Sequence, residues 1–173
     1  MIETGRLRLY PATRQQMEAS IAAETCSELK KAYSEMLAGC LQDPVHWDWY
    51  AMWRIEKPDG TPVGDLCFKG PGTDGAVEIG YGILDACQGQ GYATEAVRAA
   101  LDWAFRHPEL CAVEAEAEAG NRASLRVLEK CGFLAKGEIG EEGPRFSLSR
   151  ERYETLNGDT RGGRGELPGP CGG

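Results

Sequence analysis

A glycine-rich segment between a predicted strand and a predicted helix holds the residues of this sequence best suited to bind an anion. It consists of Gln88, Gly89, Gln90, Gly91, Tyr92 and Ala93. Consecutive backbone N–H groups in such a turn can converge on one anion, and the next helix adds free N–H groups and a positive dipole end. Gly89 and Gly91 have no Cβ, so a ligand can approach the main chain closely. The segment predicts a phosphate-binding loop; a tight turn without a ligand is the alternative.

Two common nucleotide-binding loops do not match this segment. A dinucleotide fingerprint that starts at Gly89 needs a third glycine, and that position is Thr94. A Walker loop ends in Gly-Lys-Ser or Gly-Lys-Thr, and this loop does not. The phosphate is therefore expected to belong to another kind of ligand.

Hydrophobic periodicity places the loop in the middle of a mixed α/β domain. Alternating apolar residues predict strands, and helical spacing with capping residues predicts helices. The predicted strands are 6–10, 49–57, 63–69, 76–84, 112–119, 133–139 and 145–149, and the predicted helices are 14–24, 27–39, 94–106 and 123–131.

Length and composition are those of one folded domain with a short tail. The 173 residues carry a net charge of −8 and are 42% hydrophobic. This predicts a single domain, which we place at residues 1–156. Nine of the residues in 157–173 are Gly or Pro, and this segment cannot bury enough apolar surface to fold. We predict that 157–173 is a disordered tail.

Charge and composition also exclude several classes of protein. An acidic chain without a basic stripe is not expected to bind nucleic acid. No apolar run approaches the ~18 residues of a membrane span, and residues 1–13 lack the apolar core of a signal peptide. The seven cysteines form no C-x-x-C pair and His46 and His107 are isolated, so no metal site is predicted. Scattered cysteines of this kind predict a reducing, cytoplasmic location.

Several segments resemble one protein family, in the order in which that family has them. Gln88-x-x-Gly91-x-Ala93 resembles the Arg/Gln-x-x-Gly-x-Gly/Ala loop of the GNAT superfamily of N-acetyltransferases. The segments 2–9, 78–81, 91–96 and 121–133 resemble its branch that acetylates the N-termini of ribosomal proteins. The similarity extends over residues 2–153.

This resemblance implies acetyl-CoA as cosubstrate and a mixed, mostly antiparallel sheet with helices on both faces. In the family, the pyrophosphate lies on the loop that matches Gln88 to Ala93. The pantetheine arm lies between two parallel strands that splay apart, here 76–84 and 112–119, and pairs with backbone near Ile83. A backbone N–H of the same strand binds the acetyl carbonyl. Asn121 matches the asparagine that bonds the pantetheine, and it also suits a helix N-cap.

The resemblance also implies a group that meets the leaving thiolate. Ser124 matches a serine that has this position in the ribosomal branch, although a solvated serine in a first helical turn would have the same spacing. Many other relatives place an acidic tyrosine seven residues after the asparagine. That position here is Leu128, so a tyrosine acid at that site is excluded.

The base that deprotonates the amine is sought among the glutamates of two strands. Glu78 is the first candidate, although histone-modifying relatives carry their glutamate six residues before the position of Ile83 and the spacing here is five. Glu114, Glu116 and Glu118 share one face of the next strand. They form either an acidic wall that attracts amines or a solvated strand face.

We therefore expect an N-acetyltransferase that moves the acetyl group of acetyl-CoA directly to a primary amine. The acceptor is either a protein N-terminus or a small amine, and the protein is expected to be a monomer or homodimer that binds neither nucleic acid nor a membrane. The alternative is a non-catalytic acyl-CoA-binding or sensor module. Such a module would keep the loop and Asn121 but would need neither Glu78 nor Ser124.

Overall fold

One mixed sheet forms the centre of the computed structural model, which describes residues 1–72 and 74–158. Its strands are β1 (Ile2–Glu3), β2 (Arg8–Pro11), β3 (Met52–Glu56), β4 (Pro62–Phe68), β5 (Ala76–Ile83), β6 (Ala112–Glu116), β7 (Leu134–Ile139) and β8 (Pro144–Ser149). Their order in the sheet is β1-β2-β3-β4-β5-β6-β8-β7. β5 and β6 run parallel, whereas the other neighbours are antiparallel.

Helices of very different lengths accompany the sheet. They are α1 (Arg14–Ala23), α2 (Ser27–Gln42), α3 (Trp47–Tyr50), α4 (Tyr92–Ala104), α5 (Arg122–Lys130) and α6 (Arg150–Gly158). α1 begins at a capping box, in which Thr13 and Gln16 each bond the other's backbone N–H through the side chain. The mixed α/β class predicted from the sequence is confirmed.

The parallel pairing of β5 with β6 ends soon after it begins. The two strands pair at Ala76 with Ala112, Val77 with Val113, and Glu78 with Glu114. β5 then continues to Ile83 beside β4, where its last pair joins Ile83 to Gly64. The predicted divergence of two parallel strands is therefore present, and it leaves one edge of β5 open beyond Glu78.

The alternating side chains of β5 divide the molecule into two sides. Val77 and Ile79 are buried in the main core with the apolar face of α4, including Val97 and Ala100. On the opposite side, Met17 and Cys40 of the first two helices pack on Met52 of β3. Met52 pairs with Cys67 of β4, and Cys67 pairs with Gly80 of β5, so these residues lie on the same second side. Helices thus cover both faces of the sheet, as expected.

The strand predicted to begin at Trp49 begins at Met52 instead, because the preceding residues form α3. Trp49 and Trp53 both contact Trp103 of α4. Their ring centroids lie 4.6 and 4.8 Å, respectively, from the centroid of the Trp103 ring. In an extended strand these two tryptophans would be ~13 Å apart, too far for both to reach one ring. The turn brings them together, and the Trp53 indole N–H donates to the Asp48 carbonyl at 2.7 Å.

The sequence pattern does not predict α6, because its residues lack apolar periodicity. Arg150 anchors it by donating to the carbonyls of Phe105, His107 and Leu110. The Tyr153 ring stacks on Phe105 at a centroid distance of 4.5 Å. The helix runs to Gly158, so the predicted tail overlaps its last two residues; residues 159–173 lie outside the described part of the chain.

The close approach of β4 and β5 generates a stability prediction. A Cβ on Gly64 would lie 2.1 Å from the Gly82 carbonyl oxygen, a backbone atom that cannot rotate away. Gly64→Ala should therefore lower the free energy of unfolding by about 1–3 kcal/mol, the usual cost of overpacking. Chemical denaturation of Gly64→Ala and of Gly120→Ala, whose Cβ would meet nothing within 4 Å, tests this. Equal stability of the two variants would contradict it.

Candidate active site

A cleft of about 540 Å³ opens where β5 leaves β6. Its walls come from the end of β5, from the glycine loop with the first turn of α4, and from α5. The structure thereby brings together eight of the ten residues predicted for the site. They are Ile83, Gln88, Gly89, Gly91, Tyr92, Ala93, Asn121 and Ser124.

The glycine loop is held in a form that only glycine adopts readily. Gly89 and Gly91 have φ angles of 74° and 81°, in the left-handed region. A Cβ on Gly89 would meet nothing within 4 Å, so the main chain there is open to a ligand. Gly91 is the N-cap of α4, and in the described part of the chain the start of this helix has no side-chain cap hydrogen bond. The loop is therefore an open cradle of backbone donors at a positive helix end.

The loop is tied to its surroundings on both sides. The Gln88 amide donates to the Ile83 carbonyl at 3.2 Å, which connects the loop to the end of β5. The Arg6 guanidinium donates to the Gln90 carbonyl at 2.9 Å and lies 4.6 Å over the Tyr92 ring. The Arg6 Nε in turn donates to the Glu95 carboxylate at 2.7 Å, which fixes the Arg6 side chain. Two side-chain hydrogen bonds and the Arg6–Glu95 ion pair together hold the loop in place.

Gln90 was predicted as a binding residue but does not line the cleft. Its side chain turns back toward the Ala86 carbonyl, at 3.4 Å. Its own carbonyl is occupied by Arg6, as described above. Both the side-chain amide and the carbonyl of Gln90 therefore have partners within the protein.

Asn121 and Ser124 form the α5 wall of the cleft. The Asn121 side chain accepts from the Ser124 backbone N–H at 3.0 Å, which confirms Asn121 as the predicted N-cap. The Ser124 hydroxyl shares a 3.0 Å hydrogen bond with the hydroxyl of Tyr81. Burial is the main reason that the pKa of Tyr81 is raised, and its bond to Ser124 only partly opposes this. Tyr81 therefore stays protonated and can donate.

Tyr81, Arg126 and Lys130 line the cleft but are not predicted from the sequence. Tyr81 lies on the apolar side of β5, and a hydroxyl on an otherwise apolar strand face is a sequence signal for a site residue. Arg126 and Lys130 are four residues apart on α5, a spacing that puts both on one face. Two cations at one cleft of a chain with net charge −8 are suited to phosphate oxygens.

Glu78, the predicted base, lies on the other side of the sheet and away from the cleft lining. It forms ion pairs with Lys69 and with Arg145, the latter at 3.4 Å. Arg145 also pairs with Glu114 at 2.8 Å and with Glu116. These cations occupy Glu78, the suggested base, and two members of the suggested acidic wall, Glu114 and Glu116. The third member, Glu118, is exposed and lies beyond the end of β6.

Lys136 completes this group, which we call the salt-bridge cluster: Glu78, Glu114, Glu116, Lys69, Lys136 and Arg145. Burial alone would raise the pKa of Glu114, but hydrogen bonds from Lys136 and Arg145 outweigh it and hold the pKa below its ordinary value. The Glu142 backbone N–H and Arg145 lower the pKa of Glu116 as well. The formal charges of the cluster cancel, so it stabilises the sheet rather than attracting cations.

The described residues contain neither a group of metal-binding side chains nor a membrane-spanning helix. In residues 1–72 and 74–158, no three His, Cys, Asp or Glu side chains are grouped so as to hold a metal ion. Among the described helices, none is both long and apolar enough to cross a membrane.

The profile of the family described as "Acetyltransferase (GNAT) domain" matches residues 6–134. Among curated proteins, the chain is 32% identical over 91 residues to the uncharacterized N-acetyltransferase YjdG of Bacillus subtilis. That alignment covers 51% of this chain and 54% of the relative. The chain thus spans about half the length of this relative.

Solved structures of similar fold include two that contain coenzyme A. One is spermidine N-acetyltransferase from Vibrio cholerae in complex with CoA and spermine, with a TM-score of 0.67 and 18% identity over 87% of this chain and 99% of that one. The other is aminoglycoside acetyltransferase AAC(6')-Ib in complex with coenzyme A, with a TM-score of 0.65 and 19% identity over 87% and 99%. At these identities the likeness establishes the fold.

The salt-bridge cluster generates a prediction about stability. Arg145→Met removes a donor from three carboxylates and should lower the free energy of unfolding at neutral pH by about 1–3 kcal/mol. Because the folded pKa values of Glu114 and Glu116 are depressed, this contribution is present above their ordinary pKa and is lost as the pH falls through the folded values. The difference from wild type should therefore shrink toward about pH 3.

Denaturation at several pH values measures this effect, with Arg14→Met as control because Arg14 pairs with Glu18 on an exposed helix face. Acetyl-CoA affinity should be unchanged, since the salt-bridge cluster lies outside the cleft. A variant as stable as wild type, or one that loses acetyl-CoA binding while folded, would contradict the structural role.

Proposed function

Because the chain belongs to the GNAT family of acetyltransferases, we propose that it transfers the acetyl group of acetyl-CoA to a primary amine. The observation that carries the proposal is the open edge of β5 beside an uncapped cradle of backbone donors. The edge can accept an extended amide-bearing arm as an added strand, and the cradle can accept its phosphates. Few ligands other than an acyl-CoA have both parts.

The lining of the cleft offers partners for two parts of coenzyme A, the pyrophosphate and the pantetheine arm. The pyrophosphate would lie on the loop at Gly89 and Gly91, with Arg126 and Lys130 near enough to line the same cleft. The pantetheine would follow β5 toward Ile83, with Asn121 on the facing wall. The CoA complexes of the fold neighbours support this choice of cosubstrate.

The chemistry needs two things from the end of β5 and from α5. A backbone N–H near Ile83 would bind the acetyl oxygen as negative charge develops on it. The paired hydroxyls of Ser124 and Tyr81 would supply a hydrogen bond, and then a proton, to the sulfur as the C–S bond breaks. A non-catalytic acyl-CoA module would not need a half-buried hydroxyl pair at this point, so the pair favours catalysis.

The acceptor is a primary amine of a small molecule or of a protein N-terminus. The fold neighbours named above act on spermidine and on aminoglycosides, which supports the small amine. The sequence similarity to the ribosomal branch supports the protein N-terminus. Thiol release from acetyl-CoA, measured with spermine, ribostamycin and a peptide with an N-terminal serine, tests both; no release above the rate in water would overturn catalysis.

The cradle is tested by a charge placed in it. Gly89→Asp puts a Cβ and a carboxylate where the phosphates would approach the main chain, so acetyl-CoA binding should fall at least tenfold, the equivalent of ~1.4 kcal/mol. Gly60→Asp is a matched control, because Gly60 also has a positive φ (87°) and open space around it. Calorimetric titration of both folded variants decides the matter. Equal affinity for acetyl-CoA would refute the loop assignment.

The hydroxyl pair is tested separately from binding. Ser124→Ala and Tyr81→Phe should each lower kcat about tenfold or more, in the lower part of the range for lost proton transfer. The KM for acetyl-CoA should change little, because neither hydroxyl is assigned to the phosphates. Tyr153→Phe serves as the control, since its hydroxyl bonds Asp102 on α4. If both variants keep wild-type kcat, the pair is structural.

A further inference from the structure

A second cavity, of about 280 Å³, lies on the side of the sheet opposite the cleft. Helices α1 and α2 form one wall, with Ser20, Glu24 and Tyr33, and strands β3 and β4 form the other. We call it the acceptor-side cavity. Its lining includes Gly64 and Leu84, which flank the end of β5 that also lines the cleft. The two cavities thus approach each other from opposite sides at the last residues of β5.

Asp65 is the carboxylate of this cavity that lies nearest to the end of β5. Its strand partner on β5 is Gly82, one residue before Ile83. The Asp65 Oδ1 atom lies 3.7 Å from the place that a Cβ of Gly82 would occupy. Because Gly82 has no side chain and is exposed, the space between Asp65 and the end of β5 is open. A side chain at this position would separate the two.

The charge of Asp65 is not compensated by a cation. Arg54, its strand partner on β3, pairs with Glu56 instead, at 2.9 Å. Across residues 1–72 and 74–158, no Lys, Arg or His nitrogen lies within 4.0 Å of the Asp65 carboxylate. The Tyr33 hydroxyl donates to it over a long 3.5 Å. This is the opposite of Glu78, which two cations hold.

We propose that Asp65 receives the acceptor ammonium in this cavity and removes its proton, in the place that the sequence suggested for Glu78. The proposal rests on the proposed acetyl transfer. A lysine-type amine, of pKa ~10.4, is neutral in less than ~0.1% of molecules at pH 7, so the reaction needs a proton acceptor beside the nitrogen. A carboxylate without a counter-ion next to the splayed strand end meets that need.

The step balances as follows in this arrangement. Asp65 takes one proton from the ammonium, and the freed lone pair of the nitrogen attacks the thioester carbon. As the C–N bond forms and the C–S bond breaks, the sulfur gains a proton from the Ser124 and Tyr81 hydroxyls. The nitrogen then loses its second proton, which passes through water and restores the hydroxyl that gave its proton to the sulfur. Asp65 then returns its proton to solvent, so one proton is released for each acetyl transferred.

The surroundings of Asp65 suit a base. Tyr33 from α2, Glu24 after α1, and Arg54 and Glu56 from β3 line the same cavity. On β4 itself the Cys67 thiol interacts electrostatically with Asp65, and β5 places Gly82 opposite it. Burial raises the pKa of Asp65, and the bond from Tyr33 opposes this in part. A raised pKa brings a carboxylate closer to the pH at which it exchanges protons with an amine.

This raised pKa also separates function from stability. A carboxyl whose pKa is higher in the folded state binds more protons when folded. Its ionised form therefore costs stability above the folded pKa, and this cost vanishes as the pH falls below the unfolded value. Asp65→Asn removes the charge, so the variant should be at least as stable as wild type at neutral pH. A residue kept only for structure would show the reverse.

The test compares Asp65→Asn with wild type, using spermine and an N-terminal serine peptide as acceptors. At pH 7 the variant should lose at least tenfold in kcat/KM with spermine, and less with the peptide, whose α-amine of pKa ~7.7–8.0 is neutral more often. The loss should shrink toward about pH 10, where the amines deprotonate unaided. Acetyl-CoA affinity should stay unchanged, and Asp65→Glu should recover part of the activity.

Two further variants make the outcome decisive. Asp59→Asn, on the turn of the same hairpin, is the matched control and should behave as wild type. Glu78→Gln tests the competing base, and a larger loss there than in Asp65→Asn would overturn the proposal. So would a wild-type pH profile, or clear destabilisation, in Asp65→Asn. If wild type acetylates none of spermine, the serine peptide and ribostamycin, the proposed acetyl transfer fails instead, and this inference fails with it.

Discussion

The short parallel pairing of β5 with β6 is the constraint on which the site depends. Three residue pairs hold the strands together, and beyond them β5 has a strand partner on one side only within the described residues. A strand edge inside a domain must satisfy its N–H and C=O groups with something other than a strand. Here the open edge meets the cleft, so the fold leaves a place that an extended ligand can complete.

The glycine loop follows directly from this geometry. It starts where β5 ends, and Gln88 ties it to the Ile83 carbonyl. Its second glycine then begins α4, so a positive helix end points at the same cleft that the strand edge opens. Arg6, from the turn between β1 and β2 at the far end of the sheet, contacts the loop through the Gln90 carbonyl and pairs with Glu95 of α4. Residues distant in sequence thus fix a flexible loop in one form.

Charge is distributed unevenly over the two sides of the sheet. Arg126 and Lys130 line the cleft, although the chain as a whole carries a net charge of −8. On the opposite side, the salt-bridge cluster cancels its own charge, whereas among the described residues no cation lies within 4.0 Å of the Asp65 carboxylate. An anionic cosubstrate and a cationic acceptor would therefore each find complementary charge on a different side. The reacting groups would meet at the end of β5.

Most of the elements, and the place of the proposed anion-binding loop, are predictable from local sequence patterns. Loop chemistry is local, because two glycines before a helix suffice to predict an open backbone cradle. The Asn121 cap is local for the same reason, since it bonds a backbone N–H three residues ahead. Short elements such as α3 and α6 were missed because contacts with Trp103 and Phe105, rather than periodicity, hold them in place.

Which acidic side chains have cations beside them depends on the tertiary structure. Glu78 and Asp65 are both acidic strand residues, and nothing in their local sequence separates them. Lys69 and Arg145 reach Glu78 across the sheet, whereas Arg54 turns from Asp65 to Glu56. The availability of a carboxylate depends on which cations the fold places within about 4 Å. That is a property of strand order and register, which hydrophobic patterning does not encode.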